Sequence, residues 1–311
     1  MLDEHDRRLR SLDPLLPAAQ PLPEPGPGEL ALGAASAAGV YRVRRLDPDS
    51  PEADERAVEV HLLDARVAGP DPVAAMAALL DRWEEHLPAS GPTGGGDSEA
   101  LITWPSRDTS LTSTFLSHGL VPGLTLAARP AGRPLPAVPE GVVVRAMGSA
   151  DLEVAVGLQL ELARWNQQFG GRVPRPSTEA NSRRVLGARL APPTTSWTWV
   201  AEVDGAVTGL VVVTPPERAD WVAASVASGP VAYVGCLVVG AAHRGDGVGA
   251  ALVATAHAAL DAAGIGVTLL HYYTMNPLSV PFWHRHGYRP LWTEWSRRPV
   301  GGAGRGGEWA R

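Results

Sequence analysis

"HRGDGVGAAL", residues 243–252, decides how the rest of this chain is read. Gly245, Gly247 and Gly249 alternate, Arg244 precedes them, and helix formers follow. Three glycines beside a helix destabilise it unless the backbone must approach something closely. A glycine-rich turn that opens a helix usually holds phosphate, because its N–H groups point outward and the helix end carries about half a positive charge. Several folds build such a turn, and the flanking sequence separates them. A Walker A loop needs a lysine to reach the terminal phosphates, yet the 27 basic residues are all arginine. The dinucleotide fingerprint G-x-G-x-x-A can be written on Gly245, Gly247 and Ala250. That fingerprint sets its first glycine at the strand end and closes the next strand with an acid. Here residues 240–244 intervene after Val239, and the next strand runs into "LLHYYTMN" (269–276) without one.

Outward from the turn, "VAYVGCLVV" (231–239) is a continuous apolar run, predicted as a strand buried on both faces. "GVGAALVATAHAALDAAG" (247–264) is a helix ending at Gly264, and "VTLLHYY" (267–273) is a strand. "NPLSVPFWHRHG" (276–287) is a short helix with Asn276 as cap and Pro277 at its first position. "YRPLWTEWSRR" (288–298) is the last strand. Upstream, "GVVVRAM" (141–147) is a strand and "SADLEVAVGLQLELARWNQQFG" (149–170) a helix with Ser149 as N-cap. "STEANSRRVLGARLA" (177–191) is a second helix. "SWTWVAEVDGAVTGLVVVTP" (196–215) is a hairpin turning at Asp204-Gly205.

The first half echoes this ending. Residues 101–130 align without a gap on 269–298, with His118 on His286 and Pro122 on Pro290. "RAVEVHLLDAR" (56–66) and "PVAAMAALLDRWEEHL" (72–87) parallel the strand and helix around the turn, but "VAGPDP" (67–72) stands where the glycines would be. This predicts a duplicated domain whose first copy, 1–130, has lost the turn. A linker at 131–140, a second domain at 141–300 and a disordered tail at 301–311 complete the division.

Composition narrows the function. The net charge of −6 lacks the basic balance of a nucleic-acid binder. A single cysteine, Cys236, leaves no disulfide framework or Cys-rich zinc site, and it reads as a small core residue. The start "MLDEHDRRLRSLD" has no signal-peptide core, and no apolar run approaches about 18 residues. A cytoplasmic protein without a membrane partner is expected. "HRH" (284–286), with His271 nearby, is read as complementing a helix dipole, so no metal is expected.

"LVVGAAHRGDGVGAAL" (237–252) resembles the acyl-CoA signature of the GNAT superfamily of N-acyltransferases, with Arg244, Gly247 and Gly249 at the defining positions. "NPLSVPFWHRHGY" (276–288) resembles that family's second motif, and the order of elements over 141–298 matches. The resemblance implies an α+β fold of two tandem GNAT-like domains, each a mixed, splayed sheet flanked by helices. It implies acetyl-CoA as co-substrate, with pyrophosphate on the turn at Arg244, Gly245, Asp246, Gly247, Val248, Gly249 and Ala250. Pantetheine would pair with Leu237, Val238 and Val239 as an added strand, near Asn276, Ser279 and Trp283. The tetrahedral oxyanion would meet a backbone N–H near Leu237.

Two positions depart from the family. Its glutamate on the strand before the turn is absent from "PVAYVGCLVV" (230–239), leaving Tyr233, His271 and Glu202 as polar alternatives. Its usual tyrosine falls at Trp283, whose indole cannot protonate the departing thiolate; Tyr288 is the candidate substitute. Trp165 and Trp199 are candidates for the acceptor wall. The expected activity is acetyl transfer to the amine of a small molecule or peptide. The alternative is a CoA-binding regulatory or scaffold protein without catalysis. The duplication makes the chain a pseudo-dimer, expected as a monomer or a homodimer.

Overall fold

The computed structural model of the protein describes residues 1–88, 97–135, 137–170, 174–192 and 197–301. Its contacts define two compact units. The first holds Met1–Pro48, Glu55–Thr125 and Pro290–Arg311; the second holds Asp49–Asp54 and Leu126–Arg289.

In the first unit, helix α1 (Leu2–Leu12) precedes strands β1 (Leu30–Ala34), β2 (Ala37–Arg45) and β3 (Glu59–Val67). Helix α2 (Pro72–Glu84), β4 (Ser98–Pro105), α3 (Thr112–Ser117) and the start of β5 (Val121–Pro130) follow. The last strand of the chain, β11 (Arg289–Arg297), completes the sheet order β1-β2-β3-β4-β11. β1, β2 and β3 pair antiparallel, β3 and β4 parallel, and β4 and β11 antiparallel. Met76, Leu79, Leu80 and Trp83 of α2 pack with Leu63, Ile102 and Phe115 in the core. Ion pairs fasten the C-terminal strand here: Glu294 is bidentate with Arg56 at 2.6 and 3.0 Å, and Arg298 meets Glu99 at 2.8 Å.

The second unit repeats the grammar. β6 (Val142–Ala146), α4 (Leu152–Gln167) and α5 (Thr178–Arg189) lead into β7 (Thr198–Val203) and β8 (Ala206–Thr214). The short α6 (Asp220–Ala223), β9 (Val231–Val239), α7 (Val248–Ala262), β10 (Val267–Tyr273) and α8 (Ser279–Arg285) follow. The sheet order is β5-β10-β9-β8-β7-β6. One core lies under α7, with Val248, Leu252, Val211 and Trp283; another under α4 and α5, with Val156, Leu186 and Leu210. Asp204 and Gly205 both have positive φ, 51° and 77°, as a type I′ hairpin turn requires. Residues Asp49–Asp54 dock on the start of α5, where Thr178 and Asn181 donate to the Asp54 carboxylate at 2.5 and 3.0 Å.

Several expectations change. The compact units do not follow a contiguous division at 131–140, because β11 pairs with β4 over Trp292–Arg297. β1 and the start of β2 stand in a stretch whose Ala- and Gly-rich composition ("ALGAASAAG", 31–39) carries little periodic signal. Ser149 makes no capping bond; the Asp151 carboxylate instead accepts the Gly148 N–H at 2.7 Å. β9 is not buried throughout: Gly235 is exposed, and Cys236, Leu237 and Val239 are half-buried. Residues 302–311 of the expected tail lie outside the described residues, as do residues 89–96.

Two predictions follow from this packing. A fragment of residues 141–311 lacks Ala127, Ala128 and Arg129, all buried, and the Arg129 guanidinium bonds to the His286 and Arg133 carbonyls. It should show no cooperative thermal transition; a sharp one would contradict the discontinuous units. The second prediction concerns acid. Burial pushes the His257 imidazole down to about 3, while its Nε2 meets the Tyr288 hydroxyl at 2.9 Å. In the unfolded chain histidine titrates near 6.5, so below that pH the unfolded state binds the extra proton. Stability should therefore be fully present above about pH 6.5 and fall by about 1.4 kcal/mol per pH unit toward pH 3. Denaturant titrations at pH 7 and pH 5 should show a smaller difference for His257→Gln than for wild type. An identical difference would refute the assignment.

Candidate functional site

The turn between β9 and α7 is built for close approach. Gly245 and Gly247 have φ of 101° and 84°, where other residues are strained. A Cβ on Gly247 would run into the Pro139 ring, and one on Gly249 would lie 3.3 Å from Phe282. No side chain caps the N-terminus of α7, so its outward N–H groups and dipole remain available to an anion. Val248 turns its side chain into the core and offers only backbone. Asp246 is exposed. Arg244 braces the turn: its Nε donates to the Val239 carbonyl at 3.0 Å, and its Nη2 donates to Glu161 at 2.6 Å. The guanidinium also lies 5.4 Å from the Trp165 ring centre, in cation–π range.

A second feature lies along β9. Its parallel pairing with β10 runs only from Val231 to Val234, opposite Val267 to Leu270. A register shift in the β8–β9 ladder leaves Gly235 as the extra residue, with Val213 opposite Val234 and Val212 opposite Cys236. Beyond it, Leu237, Val238 and Val239 pair with β8 alone, so their other edge faces the opening between β9 and β10. A cavity of about 810 Å³ joins this edge to the turn. Leu237, Val238, Val239, Arg244, Gly245, Gly247, Gly249, Ala250, Asn276, Ser279, Trp283 and Trp165 line it, with Phe282, Leu162, Pro134 and Leu135.

Asn276 caps α8, its Oδ1 accepting from the Leu278 and Ser279 N–H groups at 3.0 and 3.3 Å. The Ser279 hydroxyl is buried without a protein partner and borders the cavity; such an oxygen calls for a ligand or water. Trp283 packs edge-on against Phe282 and Tyr288, with ring centres 5.1 and 5.2 Å away.

The polar candidates divide. Tyr233 and His271 come together, hydroxyl to Nδ1, at 2.9 Å, immediately before the strands part. Tyr288 does not reach the cavity. It is 2 % exposed, its hydroxyl is bonded to His257, and burial pushes the phenol far above its ordinary range. It packs rather than donates protons. Glu202 is also elsewhere, paired with Arg145 at 2.6 Å. Trp199 lies in the core under α7, edge-on to Trp197, and forms no acceptor wall. The imidazoles of "HRH" bond to Tyr272 and to the Phe282 carbonyl, and among the described residues no cluster of three His, Cys, Asp or Glu side chains could hold a metal. No described helix is long and apolar enough to cross a membrane.

Sequence reading missed Glu161, 83 positions from its partner Arg244, which no spacing rule could join. It also passed over Gly235, although a glycine inside an apolar strand is a bulge signal.

Residues 162–288 match the acetyltransferase (GNAT) family model. Among solved structures, the chain is similar to a GCN5-related N-acetyltransferase from Sphaerobacter thermophilus. The TM-score is 0.60 at 14 % identity, covering 99 % of this chain and 92 % of that one. A GCN5-related N-acetyltransferase from Kribbella flavida gives 0.47 at 16 % identity, covering 87 % and 89 %. A tandem GNAT protein from the clavulanic acid biosynthesis pathway gives 0.44 at 16 % identity, covering 96 % and 93 %. No curated protein sequence matches the chain. Residues 162–288 therefore resemble an acetyltransferase (GNAT) domain, and the chain as a whole shares the α+β fold of the Sphaerobacter protein.

Proposed function

We propose that this protein moves an acetyl group from acetyl-CoA to the amine of a small molecule or peptide, by direct attack on the thioester. The observation that carries this reading is the single cavity from the glycine turn to the unpaired edge of β9. In the proposal the N–H groups of Gly247, Val248 and Gly249 receive the pyrophosphate. Pantetheine runs along Leu237–Val239, and the Ser279 hydroxyl and Trp283 border the arm. A backbone N–H near Leu237 meets the oxyanion.

An alkyl ammonium has a pKa of about 10, so about one molecule in a thousand is neutral at pH 7. Tyr233 and His271 are proposed to relay its proton away through water. The thiolate then leaves without an acid, because a thiol of pKa about 8.5 is a tolerable leaving group. Trp283 replaces the family's tyrosine at that point, and the same substitution supports the second reading, a CoA-binding scaffold. CoA release across an amine panel separates the two.

The first unit is proposed to bind no CoA. Four residues, 68–71, join β3 to α2, whereas eight, 240–247, join β9 to α7. The start of α2 is served by the protein's own carboxylates: Asp71 accepts from the Ala74 N–H at 2.9 Å and Glu4 from the Gly69 N–H at 3.3 Å.

Two measurements check this reading. Gly247→Val and Gly264→Ala both place a side chain at positive φ, but only the first meets the turn. Calorimetry should show CoA affinity reduced at least about 100-fold in Gly247→Val and unchanged in Gly264→Ala; equal affinities would refute the site. In kinetics, kcat/KM should rise with pH through a single ionisation, with no falling limb below about pH 9. Tyr233→Phe should lower the rate about 10²-fold, and Trp283→Tyr should raise kcat by less than about tenfold. A bell-shaped profile would show that a general acid exists.

A further inference from the structure

We infer that the acceptor is a primary amine carried on an aromatic ring, and that Trp221 is the surface on which the ring stacks. The inference rests on the acetyl-transfer reading and names the substrate class of the same site.

Trp221 lies in α6, within the connection from β8 to β9, and is 62 % exposed. The exposure is held in place: its neighbours Ala219 and Val222 are 0 % and 2 % exposed and anchor the segment. The indole meets Tyr233 edge-on at 4.8 Å between ring centres. It lies nearly parallel to His271, at 17° and 6.4 Å. A third aromatic ring can therefore extend an existing stack, in the offset geometry that aromatic pairs prefer.

Gly235 keeps the approach open. It is exposed at the bulge, and a Cβ there would lie 3.6 Å from the Tyr233 ring. Tyr233 and Leu237 are four positions apart on β9, about 13 Å at ~3.3 Å per residue. An amine attacking a thioester near Leu237 thus has its remaining length laid back over Gly235 toward Tyr233 and Trp221. An aromatic ring on the amine can stack on the indole, whereas an alkyl chain of equal length offers no ring face to it.

The test compares 2-phenylethylamine, n-hexylamine and spermidine with acetyl-CoA as donor. Wild type should favour 2-phenylethylamine over the other two by at least about tenfold in kcat/KM. Trp221→Ala should raise KM for 2-phenylethylamine about tenfold, leave kcat within threefold, and leave n-hexylamine unaffected. Trp221→Phe should restore most of the loss. Gly235→Val should lower kcat/KM for 2-phenylethylamine more than for n-hexylamine. A preference for spermidine or n-hexylamine would overturn the proposal. So would a kcat loss in Trp221→Ala shared by all amines, which would make Trp221 a support for Tyr233 and His271. Calorimetric titration of 2-phenylethylamine into the CoA-loaded protein separates this claim from the activity. Binding weakened by Trp221→Ala without turnover would overturn only the acetyl-transfer reading. Binding that is absent, or indifferent to Trp221, would overturn the aromatic acceptor.

Discussion

The site depends on where β9 stops pairing with β10. Four residues on each strand form the parallel ladder, and the Gly235 bulge then turns β9 aside. That break leaves one backbone edge of Leu237–Val239 without a strand partner, and unpaired backbone inside a sheet is unfavourable unless something completes it. The cavity lies along this edge. The same break puts Tyr233 and His271 at the fork, within reach of a group entering from the side of Gly235. On the proposal made here, donor and acceptor approach one fork from opposite ends, and the thioester sits where they meet.

The duplicated unit shows what the turn adds. β3 and β4 also pair in parallel for only five residues, Glu59–Leu63 with Ser98–Ile102. The splay therefore survives in the first unit, but the turn above it is four residues shorter. Where the second unit leaves the start of α7 uncapped, the first unit offers Asp71 and Glu4 to the backbone donors around α2. Carboxylates of the chain stand where a phosphate would otherwise be drawn. The units thus share a fold and differ in whether a helix N-terminus is satisfied internally.

Much of this was legible in the sequence. The strands 231–239 and 267–273 have the boundaries that their apolar runs and flanking turns imply, and the Asp204-Gly205 turn and the Asn276 cap are local features with local signals. The offset between the halves survives because duplicated elements keep their spacing. What was not legible is non-local. Tyr288 and Trp199 have the residue types of a site but point into a core, and strand alternation shifts at the bulge, where periodicity loses its phase. The brace between Arg244 and Glu161 and the membership of β11 in the first unit are decided by packing across distant segments. The weak signal in 31–39 has another cause: alanine and glycine supply strand backbone without the β-branched or aromatic side chains that mark a strand.

The central claim is that one of two similar turns holds the coenzyme. A crystal structure of the full chain grown with saturating CoA tests it most directly. Pyrophosphate is expected against the backbone of residues 247–249, pantetheine along Leu237–Val239, and no coenzyme near residues 68–71. Coenzyme at the shorter turn, or bound anywhere that leaves the β9 edge uncovered, would contradict it.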